Sequence, residues 1–389
     1  MTERTGFSAE EVRQFFTSRV YGKVPAVASQ ADVTWQVLEE GTAATGGRRR
    51  QIRVDLTVPD GRQVRLTVLV RLPESASPQA RVGAFCGMNF RGNHTCEADE
   101  AVLDVTEASA AGDRLHYAPE RPVPVRGDQI ARWSFDQVTE RGWASITWCY
   151  LQLGMDKASH FEHGPHQLFS DHLVDERDPD EWGAISIWAW TMSRVLDAVV
   201  AGMIPEVDPQ RVIAHGHSRL GKTAIWAGVN DPRFAAVISN NSGCLGATLT
   251  RERGETPTVL ARAFPHWVTP NHAEVVEHWE DVFAGRAEPE VPDQPDLLAL
   301  VAPRPLYVAS ASEDAWADPE GEYESWQQAS AAWTGGPEAT AGEFPEPGEV
   351  RAPTTAPLGY HLRDGAHAVE PFDWAAWLDF ADRWVAQPD

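Results

Sequence analysis

Apolar and polar positions change their period along this chain. Residues 8–18 carry apolar positions at helical spacing and predict a short opening helix. Three stretches then alternate apolar and polar: Val33–Leu38, Gln51–Val58 and Gln63–Val70. They predict antiparallel strands with one face toward solvent. Arg81–Phe85 predicts a further strand. Residues 97–127 are rich in Glu, Asp, Ala, Pro and Arg with weak periodicity, which predicts a long surface excursion. Beyond it helices and strands alternate. A helix at about 128–140 leads to the strand Ala144–Tyr150, and one at about 181–201 leads to Arg211–Ala214. A helix at about 219–229 precedes the strand Ala235–Ser239. The strand Leu306–Ala309, a helix around 320–333, the strand Gly359–Leu362 and a last helix at 371–385 follow. The Pro/Gly/Glu-rich stretch 335–357 predicts a loop.

Strands alternating with helices imply a mostly parallel sheet covered on both faces. Antiparallel strands first and a parallel block later is the order of an α/β-hydrolase, a three-layer α/β sandwich. One domain is expected over residues 1–389, with the helix and antiparallel strands in about 1–80 and a catalytic core in 80–386.

The 389 residues are 42% apolar and 23% charged, the composition of a globular protein. No apolar run reaches the roughly 20 residues that span a bilayer. The formal charge of −24 repels polyanions, so neither nucleic acid nor an anionic membrane is an expected partner. The first residues show no basic segment followed by an apolar one. That favours the cytoplasm unless a leader has been removed. The four cysteines, Cys86, Cys96, Cys149 and Cys244, form no C-x-x-C pair and read as free thiols. Sixteen tryptophans suit sugar platforms, but most are expected in the core.

Candidate chemistry centres on Gly216-His217-Ser218-Arg219-Leu220-Gly221-Lys222-Thr223. The letters fit G-x-x-x-x-G-K-T, a phosphate-cradling loop. They also fit a nucleophile elbow, with Ser218 raised on a strand-to-helix turn and the Arg219 N–H aimed at an oxyanion. The bulky His, Ser, Arg and Leu at the variable positions oppose the phosphate reading. So does the next strand, which ends in Ser239-Asn240-Asn241 and not in a magnesium-binding Asp. The spacing G-x-S-x-x-G is not the usual G-x-S-x-G, and a serine capping a helix gives the same letters. The partners favour the elbow. Asp314 follows the strand Leu306–Ala309 and His367 follows Gly359–Leu362, in the order Ser…Asp…His. His367 would take the Ser218 proton, and Asp314 would orient the imidazole and stabilise its charge. No cofactor is required.

These residues resemble the G-[C/H]-S-R-x-G-K signature of the bacterial glucuronoyl esterases, carbohydrate esterase family 15. The likeness extends through Asn89 to Thr95, Arg126 to Trp133, Trp182 to Ile185 and Ser239 to Gly243. It continues through Gly254 to Thr256, Phe264 to Trp267, Ala302 to Pro305, Glu313 to Pro319 and Gly359 to His367. The resemblance implies an α/β-hydrolase that cleaves alkyl or aryl esters of (4-O-methyl-)glucuronic acid, the links between xylan and lignin alcohols. It implies Ser218 as nucleophile, His367 as base and an oxyanion contribution from the Arg219 side chain. It also implies sugar contacts by Lys222, Glu255 and Trp316. Such an enzyme is expected to be a monomer acting on a small or glycan uronate ester.

Two departures stand out. Many family members carry the triad acid as Glu shortly after the nucleophile, where this chain has Asn241. The acid then falls to Asp314, with Asp318 as a rival expected to cap the next helix. After Tyr150 the chain reads Leu-Gln-Leu-Gly-Met-Asp where the family tends to a Gly-Asp turn. His160, His163, His166 and His172 with Glu162 and Asp171 lack metal-ligand spacing. They read as a solvated loop, and no metal is expected. His94 reads equally as an oxyanion or shape element and as a structural residue. An acetyl or other small-ester esterase, a P-loop NTPase and a silent sugar-binding homologue are the other functions this sequence allows.

Overall fold

The computed structural model describes residues 6–44, 46–104, 124–163 and 177–385, apart from the side chains of 160, 162 and 163. Among the described residues ten strands form one sheet: β1 Asp32–Thr42, β2 Arg48–Thr57, β3 Gln63–Leu72, β4 Val82–Asn89, β5 Ala144–Cys149, β6 Val207–His217, β7 Ala236–Asn240, β8 Leu306–Ala311, β9 Val350–Arg351 and β10 Leu358–Arg363. Their order is β1-β2-β3-β5-β4-β6-β7-β8-β10-β9. The first three pair antiparallel, β3 meets β5 antiparallel, and β5 through β10 run parallel apart from the edge strand β9. This is the expected α/β-hydrolase architecture.

Helices on both faces explain why the central strands read as unbroken apolar runs. Every residue of β5, β7, β8 and β10 is buried. On one face the helices Ala184–Val200 and Arg219–Asn230 pack against each other and the sheet. On the other, the closing helix Pro371–Trp384 sets Trp374 and Trp377 against Phe85, Trp133 and His215. Thirteen of the sixteen tryptophans are buried, and Trp316 alone is exposed, at 49%. The core reading of most tryptophans therefore holds, with Trp316 as the exposed exception.

Several local expectations are corrected. The predicted solvated face exists only on β1, whose residues alternate between exposed and half-buried. On β2 and β3 the chain at 93–103 covers that face. Gln51 Nε2 donates to the Ala101 carbonyl and Asn93 Nδ2 to the Thr67 carbonyl, both at 2.8 Å. The helix expected at 128–140 is two helices, Ile130–Trp133 and Phe135–Glu140. They are separated by Ser134 at φ 39°, which turns the chain so that Trp133 and Phe135 are both buried. The loop 335–357 contains a short helix, Gly336–Thr340, and β9. Helices Pro257–Ala263, His272–Phe283 and Gln294–Ala299 fill the chain between β7 and β8, where the sequence reading identified no element. Part of the 97–127 excursion and of the histidine-rich stretch lies outside the described residues. No helix among the described residues is long and apolar enough to cross a membrane. The described cysteines are all buried and free.

Two guanidiniums hold the far end of the helix Arg219–Asn230, and Arg13 Nη1 donates to the Val229 carbonyl at 2.8 Å. Arg304 Nη2 donates to the Gly228 carbonyl at 2.6 Å, and Nη1 to the Phe234 carbonyl at 2.9 Å. A guanidinium on the last carbonyls satisfies orphan acceptors and complements the helix dipole. Arg304→Ala is therefore expected to cost about 1–3 kcal/mol, read as a melting temperature lowered by several degrees in calorimetry.

Candidate active site

Five loops at the carboxyl ends of parallel strands converge, where ligands bind on open α/β sheets. They follow β5, β6, β7, β8 and β10 and carry Asp156, Ser218, Asn241, Asp314 and His367.

Ser218 ends β6 and precedes the helix Arg219–Asn230 with φ 59° and ψ −132°. A non-glycine residue with this backbone is strained and persists only where neighbours impose it. The Ser218 N–H donates to the Asn240 carbonyl at 2.8 Å, and the Ser218 carbonyl accepts the Gly221 N–H at 2.8 Å. The glycines explain the spacing. A Cβ on Gly216 would collide with the Leu220 carbonyl, and one on Gly221 would stand 2.9 Å from the Ser242 Cβ.

His367 leaves β10 on a loop held by Arg363. This buried guanidinium donates to the carbonyls of Asp364 and Ala366, both at 2.6 Å, on the approach to the imidazole. Gly365, at φ 103°, accepts the Glu313 N–H at 2.9 Å, which ties this loop to the one carrying Asp314. His367 Nδ1 lies 2.6 Å from Asp314 Oδ2. Its ring also packs at 4.3 Å on His217, the residue before Ser218. Burial, followed by the charge of His367, pushes His217 well below the usual histidine range, so that ring stays neutral.

Asp314 is buried and accepts two further hydrogen bonds, from Asn241 Nδ2 at 2.8 Å and from the Ala317 N–H at 3.3 Å. Burial opposes its ionisation, but the His367 hydrogen bond and charge and the Asn241 amide hold it below the usual carboxylate range. Asn241 thus supports the Asp314 carboxylate through its amide. The expectation that Asp318 caps the following helix is corrected. Its side chain makes no cap hydrogen bond and pairs instead with Arg253 at 2.5 Å.

Arg219 follows Ser218 with its guanidinium over the Trp267 ring at 4.7 Å and the Phe264 ring at 5.5 Å. Its counter-ion is Asp156. Asp156 is buried and also accepts from His266 Nε2 and Trp267 Nε1, both at 2.8 Å, and from the Tyr150 hydroxyl at 3.0 Å. Burial opposes its charge, yet His266, Arg219 and Trp267 together hold it below the usual range. Sequence reasoning assigned no role to Asp156. The one signal for it is the departure from the family's Gly-Asp turn after Tyr150.

Lys222, one turn along the helix from Ser218, is buried with Nζ on Glu255 Oε2 at 2.6 Å and on the Ser242 carbonyl. Glu255 Oε1 accepts the Trp316 indole N–H at 2.7 Å. The three residues matched to sugar contacts thus form one chain that ends on the exposed indole. A lysine bound to Glu255 in this way is not presented to a phosphate. His94 is buried beside Asp104, at 3.4 Å. The proposed metal-free histidines 160, 163, 166 and 172 have side chains outside the described residues.

A serine on such an elbow, with a carboxylate and an imidazole from later loops of the same sheet, belongs to the α/β-hydrolases, and the class here is a carboxylic-ester hydrolase. The family model "Glucuronyl esterase, fungi" matches residues 130–335. The carbohydrate esterase MZ0003, from an unknown prokaryotic organism, is 34% identical over 386 residues, covering 96% of this chain and 83% of that one. A glucuronoyl esterase from Solibacter usitatus superposes with a TM-score of 0.80 at 31% identity, over 97% of this chain and 91% of that one. A promiscuous CE15 esterase from the marine bacterial metagenome superposes at 0.78 with the same identity and the same coverage. The chain belongs to the glucuronoyl esterases, carbohydrate esterase family 15.

Two outcomes test the assignments. Asp314→Asn is expected to lower kcat by on the order of 10³-fold, while Asp318→Asn leaves it within a few-fold. Steady-state hydrolysis by the two purified variants separates the rival acids, and the reverse ranking reassigns the role. Asp156→Asn, which leaves Arg219 without its counter-ion, is expected to lower kcat/KM by about 10–100-fold. Wild-type kinetics in that variant would show that Arg219 needs no such support.

Proposed function

We propose that this enzyme hydrolyses alkyl or aryl esters of (4-O-methyl-)glucuronic acid through a Ser218–His367–Asp314 acyl-enzyme mechanism. The observation that carries the reading is the joining of two systems at one elbow. The imidazole–carboxylate pair at 2.6 Å and the Lys222–Glu255–Trp316 chain meet on the loop 314–316, beside the helix that starts at Ser218.

His367 removes the Ser218 proton as Oγ adds to the ester carbonyl carbon. Negative charge grows on the carbonyl oxygen, where the Arg219 N–H and guanidinium stabilise it. Collapse expels the alcohol, which takes the proton from His367. Water then adds to the acyl-enzyme with His367 again as base, and the free uronic acid and Ser218 are regenerated. Asp314 holds the imidazole tautomer and stabilises its positive form in both halves. Lys222 and Glu255 hydrogen-bond the sugar hydroxyls, and the Trp316 face covers its C–H surface. We further propose that the chain is a single domain, supported by the one continuous sheet, and that it acts as a monomer. No cofactor enters these steps.

Hydrolysis of acetyl or other small esters is the second reading. It is favoured by the open rim at Trp316 and by the promiscuity named for the metagenomic relative. A fluorophosphonate probe is expected to label wild type and not Ser218→Ala. Methyl glucuronate is expected to be turned over with the higher kcat/KM in parallel assays against p-nitrophenyl acetate. Preference for the acetate would favour the second reading, and equal labelling of both proteins would remove the acyl-enzyme mechanism.

A further inference from the structure

Glu322 lies in the first turn of the helix Pro319–Ala329 and is fully buried. It touches none of the groups assigned to the reaction, yet four donors converge on it. Oε1 accepts the N–H of Ser242 at 2.7 Å, the N–H of Gly243 at 3.1 Å and the Ser242 hydroxyl at 3.2 Å. Oε2 accepts the Ser310 hydroxyl at 2.6 Å, from the end of β8. Successive backbone N–H groups aimed at one oxygen form an anion-binding nest.

The turn held in this way has two outputs. Asn241 Nδ2 donates to Asp314, and the Ser242 carbonyl accepts Lys222 Nζ. Asn241 and Gly243 are both left-handed, at φ 46° and 62°. Both residue types adopt that region readily, and the bonds that Glu322 accepts from the Ser242 and Gly243 N–H groups fix the turn that they form. An apolar side chain of similar volume would fill the space without the desolvation that a buried carboxyl suffers. A purely packing role therefore does not explain a glutamate here.

We propose that Glu322 is a positioning residue for ester hydrolysis, setting at once the amide that supports Asp314 and the carbonyl that anchors Lys222. The inference rests on the roles given to Asp314 and Lys222 under the proposed function. Burial pushes the carboxyl up to about 8, against the Ser310 hydroxyl and the two backbone N–H groups that oppose the shift. Glutamine keeps the shape of this side chain and one acceptor oxygen, so it is a close mimic. Its Oε1 still accepts the two N–H groups, and its Nε2 can donate to Ser310 Oγ.

The test compares wild type, Glu322→Gln, Glu322→Asp and Glu322→Leu on methyl glucuronate, with kcat expressed per fluorophosphonate-reactive site. E322Q is expected to stay within about threefold of wild type, and E322L to lose about 30-fold in kcat with KM raised about fivefold. Should E322L fail to fold, E322D serves. Its carboxyl is retracted by one methylene, and it is expected to lose about tenfold in kcat with KM raised. Losses in the E322L/N241A double variant are expected to be less than additive. Per-site kcat and KM equal to wild type in E322L or E322D would overturn the inference, as would strict additivity with N241A. Wild type that labels but fails on methyl glucuronate would instead overturn the uronate reading.

Discussion

The close approach of one strand to one helix at Ser218 is the constraint from which the site follows. Leu220 can bring its carbonyl against Gly216, and the helix can lie against Ser242, only because positions 216 and 221 lack a Cβ. That approach forces Ser218 into a left-handed conformation and lifts its side chain off the sheet edge. Once the serine is fixed at the end of β6, parallel pairing decides where partners can come from. β7, β8 and β10 deliver Asn241, Asp314 and His367 to the same edge, because each strand points the same way and exits on the same side. The order of the groups in the chain is thus a consequence of the sheet.

Much of this was legible in the residues. The central strands are buried on both faces and read as apolar runs, so they were found within a few residues. The elbow, Asp314 and His367 could be placed because each lies just past such a run. What escaped depends on tertiary partners. Nothing local in the sequence breaks the helix at Ser134; the break serves two aromatic residues that must both be buried. Asp318 sits where a helix cap belongs, but Arg253 competes for its carboxylate and holds it. Asp156, Arg363 and Glu322 lie 62, 145 and 104 residues from Ser218 in sequence. No spacing rule links them to it, and only the packed loops do.

The electrostatics explain how an asparagine can stand at position 241. A glutamate there would set a second carboxylate beside Asp314, and like charges at that distance cannot both ionise freely. The amide does the opposite. It donates to Asp314 and lowers the cost of keeping that carboxylate charged in a buried place. With Asp314 as the proposed acid on the loop after β8, the amide after β7 acts as its support.

The same pairing of charges bears on which side of the reaction the site favours. Three cations of the site each have an anion: Arg219 has Asp156, Lys222 has Glu255, and His367, once protonated, has Asp314. A uronate ester is neutral at its carboxyl group and fits among balanced pairs without disturbing them. Its product is a carboxylate and finds no uncompensated charge among these three pairs. It also lies within the field of a chain carrying −24. Under the proposed mechanism the oxyanion of the transition state differs from both, because its charge is concentrated on one oxygen that the Arg219 N–H and guanidinium would meet together. Balanced pairs with donors directed at one oxygen would thus favour the transition state over the bound product, which is what turnover requires.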